Sequence, residues 1–437
     1  MTPAPVADQI ASLLEPVVQG ELPVRLSAWD GSSAGPEGAP HVRINSPQAL
    51  RRLIWRPGEL GAAQAYVSGE IELEGDLAGG LRHLWRIVGA RQLSAVRPSP
   101  RLLAQVARLA REWDVLRPPP PMPSTQIAVS GRLHSMRRDK AVISHHYDLS
   151  NEFYALVLDE HMAYSCAYVT GAELSGDETA TYTLENAQED KLDLVCRKLG
   201  LDQRPGMRLL DVGCGWGSLS IYAAHVYGAK VKGVTISAEQ KAFADNRIRT
   251  LGLEDLVEIK QQDYREITDM PYDAVSSLEM GEHVGERNYP AYAETLTRCV
   301  KDDGRVLVQQ MSRSGRHPGG GPFIEAFIAP DMTMRPVGDT VGLLERAGLE
   351  VRDVHALREH YAWTVRAWQR RFDANREQLE KLVGVEVVRV WELYLAGGLL
   401  SFEQGRMGVD QILAVRRQDG PSALPPMRPG SWSAPYA

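Results

Sequence analysis

Residues 209–217 read LLDVGCGWG, and their order decides the fold. Two apolar residues and an acid lead into three glycines at alternating positions. An amphipathic pattern follows at Leu219, Ile221, Tyr222, Ala224 and Val226. This predicts a strand, a tight turn and a helix start. Glycines in such a turn leave the main chain bare, so a ligand can lie where a side chain would block it. Asp211 is placed to accept hydrogen bonds from the ligand's polar head. The turn alone does not name the ligand, because dinucleotide enzymes, methyltransferases and some turns that bind nothing share it.

The alternation continues around this turn. Helices are predicted over 191–199, 218–226, 289–299 and from Ala238, with strands over 208–212, 230–234, 257–261, 272–276 and 304–309. Such alternation gives an α/β fold with a mostly parallel sheet and helices on both faces. Residues 145–190 and 363–400 have helical character and are predicted to cover the C-terminal edge of the sheet, where ligands bind. Residues 1–117 read as a small mixed α+β accessory domain. It has strand-like pieces at 24–29 and 41–44, a helix from Pro47, the stretch AYVSGEIELEGDL at 65–77, and helices near 81–88 and 100–115. The run RPPPPMP at 117–123 forms a stiff spacer and marks a boundary. The division is then a linker over 118–139, a catalytic domain over 140–417, and a Pro-, Ser- and Gly-rich tail over 418–437 expected to be disordered.

A chain of 437 residues allows two or three domains with a large core. A net charge of −7 argues against general nucleic-acid binding. Between residues 97 and 140, however, nine Arg or Lys stand against three Asp or Glu. That excess suits transient contact with an anionic lipid surface; a solvated helix face is the alternative. No apolar run approaches the roughly 20 residues that span a bilayer. The N-terminus lacks the basic and apolar regions of a signal peptide. Cys166, Cys196, Cys214 and Cys299 have neither metal-ligand nor framework spacing. His145, His146 and Asp148 invite a metal reading, but adjacent histidines on a helix diverge, so no metal is expected. The expected location is the cytoplasm, peripheral to the inner face of the membrane.

Two further segments bear on the ligand. Nicotinamide and flavin folds place an acid at the end of the second strand. Here GVTIS at 233–237 offers Thr235, with Gln240 one helical turn on. In QQDYREI at 261–267, Asp263 can accept from an adenine amino group while Tyr264 packs on the ring. The combination favours S-adenosylmethionine over a dinucleotide.

Several segments together resemble the cyclopropane fatty acid synthases, including the mycolic acid cyclopropane synthases. They are HHYDLSNEFYALVLDEHMAYSCAYV at 145–169, LLDVGCGWG, GVTISAEQ at 233–240, GEHVG at 281–285, FIAPDM at 327–332 and HYAWTVRAW at 360–368. The resemblance covers about residues 140–415, and the N-terminal module is similar to that of the longer phospholipid-acting members. It implies a class I S-adenosylmethionine methyltransferase fold with a helical acyl-binding cap. The implied reaction is methyl transfer to the double bond of an unsaturated acyl chain, often within a phospholipid. By this resemblance Tyr164 and Ser165 reach the methionine end of the cofactor, and Asp211, Gly213, Gly215 and Gly217 line its cradle. Thr235 and Gln240 serve the ribose region, with Asp263 and Tyr264 at the adenine.

An alkene attacking a sulfonium methyl leaves a carbocation on the neighbouring carbon. The site must shield it from water, stabilise it and remove a proton. Loss of a proton from the new methyl closes a cyclopropane, and loss of the methylated carbon's own hydrogen is expected to give an exocyclic methylene. In the resembled family a bound bicarbonate is the base, and the matching cradle is Cys166, Glu282 and Tyr361. Two positions depart from the pattern. Gln309 stands where the family has a histidine, and a neutral amide lacks the charge and proton relay of an imidazole. Gly398 stands in place of a cysteine, which excludes a covalent cysteine mechanism there.

The departures favour a C-methylating branch similar to the tuberculostearic acid methyltransferases, making a methylene-branched chain from an oleoyl-type phospholipid and relying on a separate reductase for saturation. A cyclopropane synthase that keeps bicarbonate is the alternative. A non-catalytic cofactor- and lipid-binding relative is the alternative of another class. Glu282 is expected to orient bicarbonate or stabilise the cation, and Tyr361 to donate a hydrogen bond or face the cation with its ring. Cys166 is expected to lend backbone contacts, His146 to order the lid, and Glu279 to be structural. Phe153, Tyr154, Met162, Phe323, Phe327 and Met332 would suit an acyl channel. A second copy of the chain is left open as a partner.

Overall fold

Four short strands lie in the N-terminal part of the chain. β1 (Arg25–Ser27), β2 (Ser33–Ala34), β3 (His41–Ile44) and β4 (Ile71–Glu74) form a sheet in the order β2-β1-β3-β4. Helices Val6–Val18, Pro47–Trp55, Glu59–Val67, Leu77–Ala90 and Pro100–Glu112 accompany it. Ile10, Leu26, Ile44, Ala49 and Ala65 make a small core. The helix Val6–Val18 was not expected from sequence. The structure, a computed structural model, describes residues 4–91, 100–127, 150–170, 174, 176–179, 181–269, 271–314, 319–420, 422, 424 and 432.

The chain divides into two compact units. The first joins Met1–Gln126 to Pro322–Ile328 and Val383–Leu400, and the second holds the rest. The proline run belongs to the first unit and is not a free spacer. Arg52 donates to the Pro121 carbonyl at 2.9 Å, and the Trp55 indole donates to that of Arg117 at 2.9 Å. Nor is 363–400 one cover over the sheet. It forms helices Arg358–Ala374, Arg376–Val383 and Val385–Glu403, with Gly384 at φ +83° between the last two. The third is held within the first unit, where Arg389 donates to Glu72 at 2.6 Å and Tyr66 donates to Glu392 at 2.7 Å.

The second unit is built on a seven-stranded sheet. Its strands are β5 (Arg208–Val212), β6 (Lys230–Thr235), β7 (Val257–Gln261), β8 (Tyr272–Leu278), β9 (Val300–Ser312), β10 (Leu349–Ala356) and β11 (Gly408–Arg416), in the order β10-β11-β9-β8-β5-β6-β7. β5 to β9 pair in parallel, and β11 runs against both its neighbours. β5 shows why the strands form: Leu209 enters the core on one face, while Leu210 and Val212 enter that on the other. Between β5 and β8 the strand order reverses, and the chain crosses to opposite faces there. The carboxyl ends of these strands open a crevice at that switch point.

Two sequence expectations differ. β10 and β11 were not anticipated. In 145–190 the described helices are Asn151–Val157 and, from Leu184, Leu184–Leu199; most of the other described residues there are irregular. The long helix starts on a reciprocal cap between Thr183 and Asn186. Most of the tail lies outside the described residues; of those described, Leu424 and Trp432 are buried in the sheet's core.

Candidate active site

The turn after β5 opens on a cleft of about 780 Å³, part of it open to solvent. Gly213, Gly215 and Gly217 have φ of +78°, +55° and +82°. Their roles differ. A methyl built on Gly215 would meet nothing within 4 Å, and Gly215 lines the cleft. One on Gly217 would lie 3.3 Å from the Ala244 side chain, so that glycine permits close helix packing and does not line the cleft. Gly213 also lines it. Asp211 does not face the ligand space. Its carboxylate accepts from Ser220 at 2.8 Å and Ser276 at 2.9 Å, tying β5 to β8 and to the helix Ser218–Tyr227. Burial pushes its pKa up, partly offset by the two hydroxyls.

Thr235, Gln240, Asp263 and Tyr264 all line the cleft. Thr235 donates to Gln240 at 2.7 Å. Asp263 caps the turn that follows and accepts from Arg265 through both oxygens, at 2.8 and 2.6 Å. Tyr164 and Ser165 lie outside this lining. The Tyr164 ring packs on Trp368 and Tyr154, at 5.4 and 5.7 Å between centroids. Ser165 accepts from Lys191 at 2.8 Å. Lys191 is a buried cation that the sequence did not single out, and burial lowers its pKa. The covering segment is fixed to the turn by Trp216 donating to Asn151 and Ser218 donating to the His161 carbonyl, both at 2.8 Å. His146, with His145 and Asp148, lies outside the described residues.

Where β8 ends, the chain enters the left-handed region at Glu279, φ +50°. A residue with a Cβ is held there against a backbone cost, a feature that clusters at functional sites. Glu279 lines the cleft and is half-buried there. Three donors converge on it: the Cys166 amide at 2.6 Å, the Gln309 amide nitrogen at 2.8 Å and the Tyr361 hydroxyl at 2.6 Å. Burial raises its pKa, and the three donors and Lys191 offset part of the rise. Glu279 was expected to be structural. It is the centre on which Cys166, Gln309 and Tyr361 meet.

Glu282 sits on the short turn Gly281–His283, fully buried. Among the described residues no side chain hydrogen-bonds to its carboxylate, and only the backbone N–H groups of Glu282 and Met311 approach it. Burial, and then the neighbouring Glu279, push its pKa up to about 8. Burial and Glu279 also raise the Cys166 thiol well above its ordinary range, so it stays protonated. Tyr361 stacks on Phe402 at 4.4 Å and meets Trp368 edge-on at 6.0 Å.

A profile of the family described as mycolic acid cyclopropane synthetase matches residues 134–412. The chain belongs to the mycolic acid cyclopropane synthetase family. A probable fatty acid methyltransferase of Mycobacterium tuberculosis is 36% identical over 425 residues, covering 95% of this chain and 96% of its own. A tuberculostearic acid methyltransferase of the same organism is 35% identical over 92% of this chain and 89% of its own. A solved mycolic acid cyclopropane synthase complexed with SAH and CTAB superposes with a TM-score of 0.57 at 31% identity, over 63% of this chain and 97% of that one.

This family member is an S-adenosylmethionine-dependent methyltransferase of class I fold. Its cleft suits that cofactor: bare main chain at Gly215 faces free space, and polar side chains stand at the ends of β6 and β7. Within the mycolic acid cyclopropane synthetase family, the resemblance assigned Cys166, Glu282 and Tyr361 to a bicarbonate. Here the Cys166 amide and the Tyr361 hydroxyl are taken up by Glu279. Phe153 and Tyr154 are fully buried core, and Phe323 and Phe327 belong to the first unit. Among the described residues, no helix is long and apolar enough to cross a membrane.

Proposed function

We propose that this enzyme methylates the double bond of an unsaturated acyl chain on a phospholipid, with Glu279 as a built-in base. The observation that carries the reading is the Glu279 carboxylate seated among the Cys166 amide, Gln309 and Tyr361. When bound, S-adenosylmethionine supplies a sulfonium methyl, an electrophile that an alkene can attack. Gly213 and Gly215 would lie against it, with Thr235 and Gln240 at the ribose and Asp263 and Tyr264 at the adenine.

The alkene pair becomes the new C–C bond and leaves a positive charge on the neighbouring carbon. The Glu279 carboxylate and the Tyr361 ring offer that charge an anion and a π face. A hydrogen then shifts with its electron pair from the methylated carbon, moving the charge onto that carbon. Glu279 takes a proton from the new methyl, and the freed C–H pair forms the exocyclic double bond. Without the hydrogen shift, the same proton loss closes a ring. The product therefore depends on that shift, and not on which carbon loses its proton, the distinction drawn from sequence. A raised carboxylate pKa brings the base nearer to working pH. Glu282, holding a proton at neutral pH, spares the site a second negative charge. Saturating the methylene needs a hydride, which we assign to a separate reductase. Contact with the lipid surface is assigned to the first unit, where most exposed apolar side chains lie.

The test uses oleoyl phospholipid vesicles and S-adenosylmethionine in buffer stripped of carbon dioxide, with and without added bicarbonate. The expected product gains one CH₂ and shows exocyclic methylene signals in NMR, at a rate indifferent to bicarbonate. Glycine accepts the positive φ at position 279, so Glu279→Gly removes the carboxylate without strain. It is expected to lower the rate by about 10²–10⁴-fold. A strict need for bicarbonate, with Glu279→Gly still active, would sink the reading. A cyclopropane signal would keep the base and replace the product.

A further inference from the structure

Gln309 does not act on Glu279 alone. It stands on β9 directly opposite Gln411 on β11, which in turn stands opposite His355 on β10. Residues in such a cross-strand row share one face of the sheet and touch. The Gln411 amide nitrogen donates to the Gln309 oxygen at 2.9 Å. The Gln411 oxygen accepts from Lys198 at 2.9 Å. Lys198, on the last turn of the helix Leu184–Leu199, also reaches His355 Nδ1 at 3.1 Å and Asp353 at 3.5 Å. Gln309, Gln411 and Lys198 are all essentially without solvent contact.

The chemistry of the two ends fixes the direction of every bond between them. An ammonium only donates, so Gln411 must turn its oxygen to Lys198 and its N–H to Gln309. A carboxylate only accepts, so Gln309 must turn its N–H to Glu279. Starting from either end gives the same arrangement, which settles amide orientations that are otherwise ambiguous. The second Gln309 N–H is taken by the Cys166 carbonyl at 3.3 Å, so its amide is fully engaged.

We infer that Lys198 and Gln411 are positioning residues, locking the Gln309 amide so that its N–H points at the Glu279 carboxylate. The inference rests on Glu279 being the base. It answers the departure noted in the sequence: a neutral amide stands at position 309, and the positive charge stands two side chains behind it. A buried amide row polarised by a cation strengthens its last hydrogen bond. Other groups face the two ends. Tyr361, Lys191, the Cys166 thiol and Glu282 act on Glu279. His355 and Asp353 face Lys198, and Arg305 donates to the Lys198 carbonyl at 3.1 Å. These stay in place in the variants below, so a change in profile reports on the row.

The experiment compares full-length wild type, Lys198→Met, Lys198→Arg, Gln411→Met and Gln411→Glu by kcat, KM for S-adenosylmethionine and the pH dependence of kcat. Lys198→Met and Gln411→Met are expected to lower kcat by about ten- to a hundredfold. They should also move the acid limb of the profile up by about one pH unit, with KM for the cofactor unchanged. Lys198→Arg is expected to restore most of the rate. Gln411→Glu keeps the volume and pairs with Lys198, so it carries the test if the methionine variants do not fold; an oxygen facing Gln309 should turn that amide away and lower kcat in the same way. Wild-type kcat and profile in folded Gln411 variants would overturn the inference. Glu279→Gly separates the two claims: an active Glu279→Gly removes the base itself, whereas an inactive one beside unaffected Gln411 variants removes the row's role alone.

Discussion

Glu282 keeps a fully buried carboxyl group that only the backbone N–H groups of Glu282 itself and Met311 approach, and they offset little of the cost of burial. Burial and the charge of Glu279 raise its pKa from 4.5 to about 8. Between those values the folded protein holds a proton that the unfolded chain has released. Its contribution to stability is therefore fully present below about pH 4.5 and lost as pH rises through about 8. At about 1.4 kcal/mol per unit of displacement, the window is worth on the order of a few kcal/mol. Urea midpoints between pH 5 and 8 should fall in wild type and fall less in Glu282→Gln, whose amide never ionises. Equal slopes would show that Glu282 is not the group that titrates. Of the two acids, sequence pointed to Glu282, because GEHVG is a recognisable motif. The convergence on Glu279 was not legible, because remote partners make it. Cys166, Gln309 and Tyr361 are 113, 30 and 82 positions away, beyond the reach of any local pattern. The only nearby sign is a positive φ, which spacing does not reveal.

The element formed by β5, its glycine turn and the helix Ser218–Tyr227 was legible almost to its ends, because apolar runs and glycines act locally. The jobs of the single residues within it were not legible. Asp211 and Gly217 were assigned to the ligand, yet they tie the element to β8 and to the helix Ala238–Thr250. A paired substitution separates the roles. Both glycines have positive φ, so an alanine at either costs roughly 1–2 kcal/mol in backbone strain. Gly217→Ala adds the close approach to Ala244, and should lower the unfolding temperature more than Gly215→Ala does. Gly215→Ala projects its methyl into the cleft, and should weaken S-adenosylmethionine binding in calorimetry beyond any loss of stability. If the two lose cofactor affinity equally, the division of labour in the turn is wrong. β10 and β11 were illegible for a different reason. β11 lies between β9 and β10, so its place in the sheet is set by a return of the chain from far downstream and not by alternation with helices.

Over the whole molecule, exposed apolar surface is unevenly divided. Eleven large apolar side chains stand exposed among the described residues; nine lie in the first unit, leaving Leu251 and Val354 in the second. The first unit holds about a third of the chain, so chance scatter would place most of them elsewhere. Within it, Ile54 and Trp55 end the helix Pro47–Trp55, and the Trp55 indole grips the Arg117 carbonyl between exposed Leu116 and Met122. Exposed Arg56 and Arg117 flank these apolar side chains. An indole with one polar end, aliphatic neighbours and guanidinium groups suits the headgroup boundary of an anionic bilayer. If the substrate is a bilayer lipid, as proposed, its acyl chain must be drawn from that boundary, and such contact is expected to raise activity on assembled membranes alone. Trp55→Ala combined with Met122→Ala should weaken binding to vesicles containing anionic phospholipid by about tenfold. Added salt should weaken wild-type binding as well. Turnover of vesicle lipid should fall with the binding, while turnover of the same lipid dispersed in detergent holds. Vesicle binding unchanged in the double variant would remove the first unit's surface from the reaction, and a fall on both substrates would place the loss in folding instead.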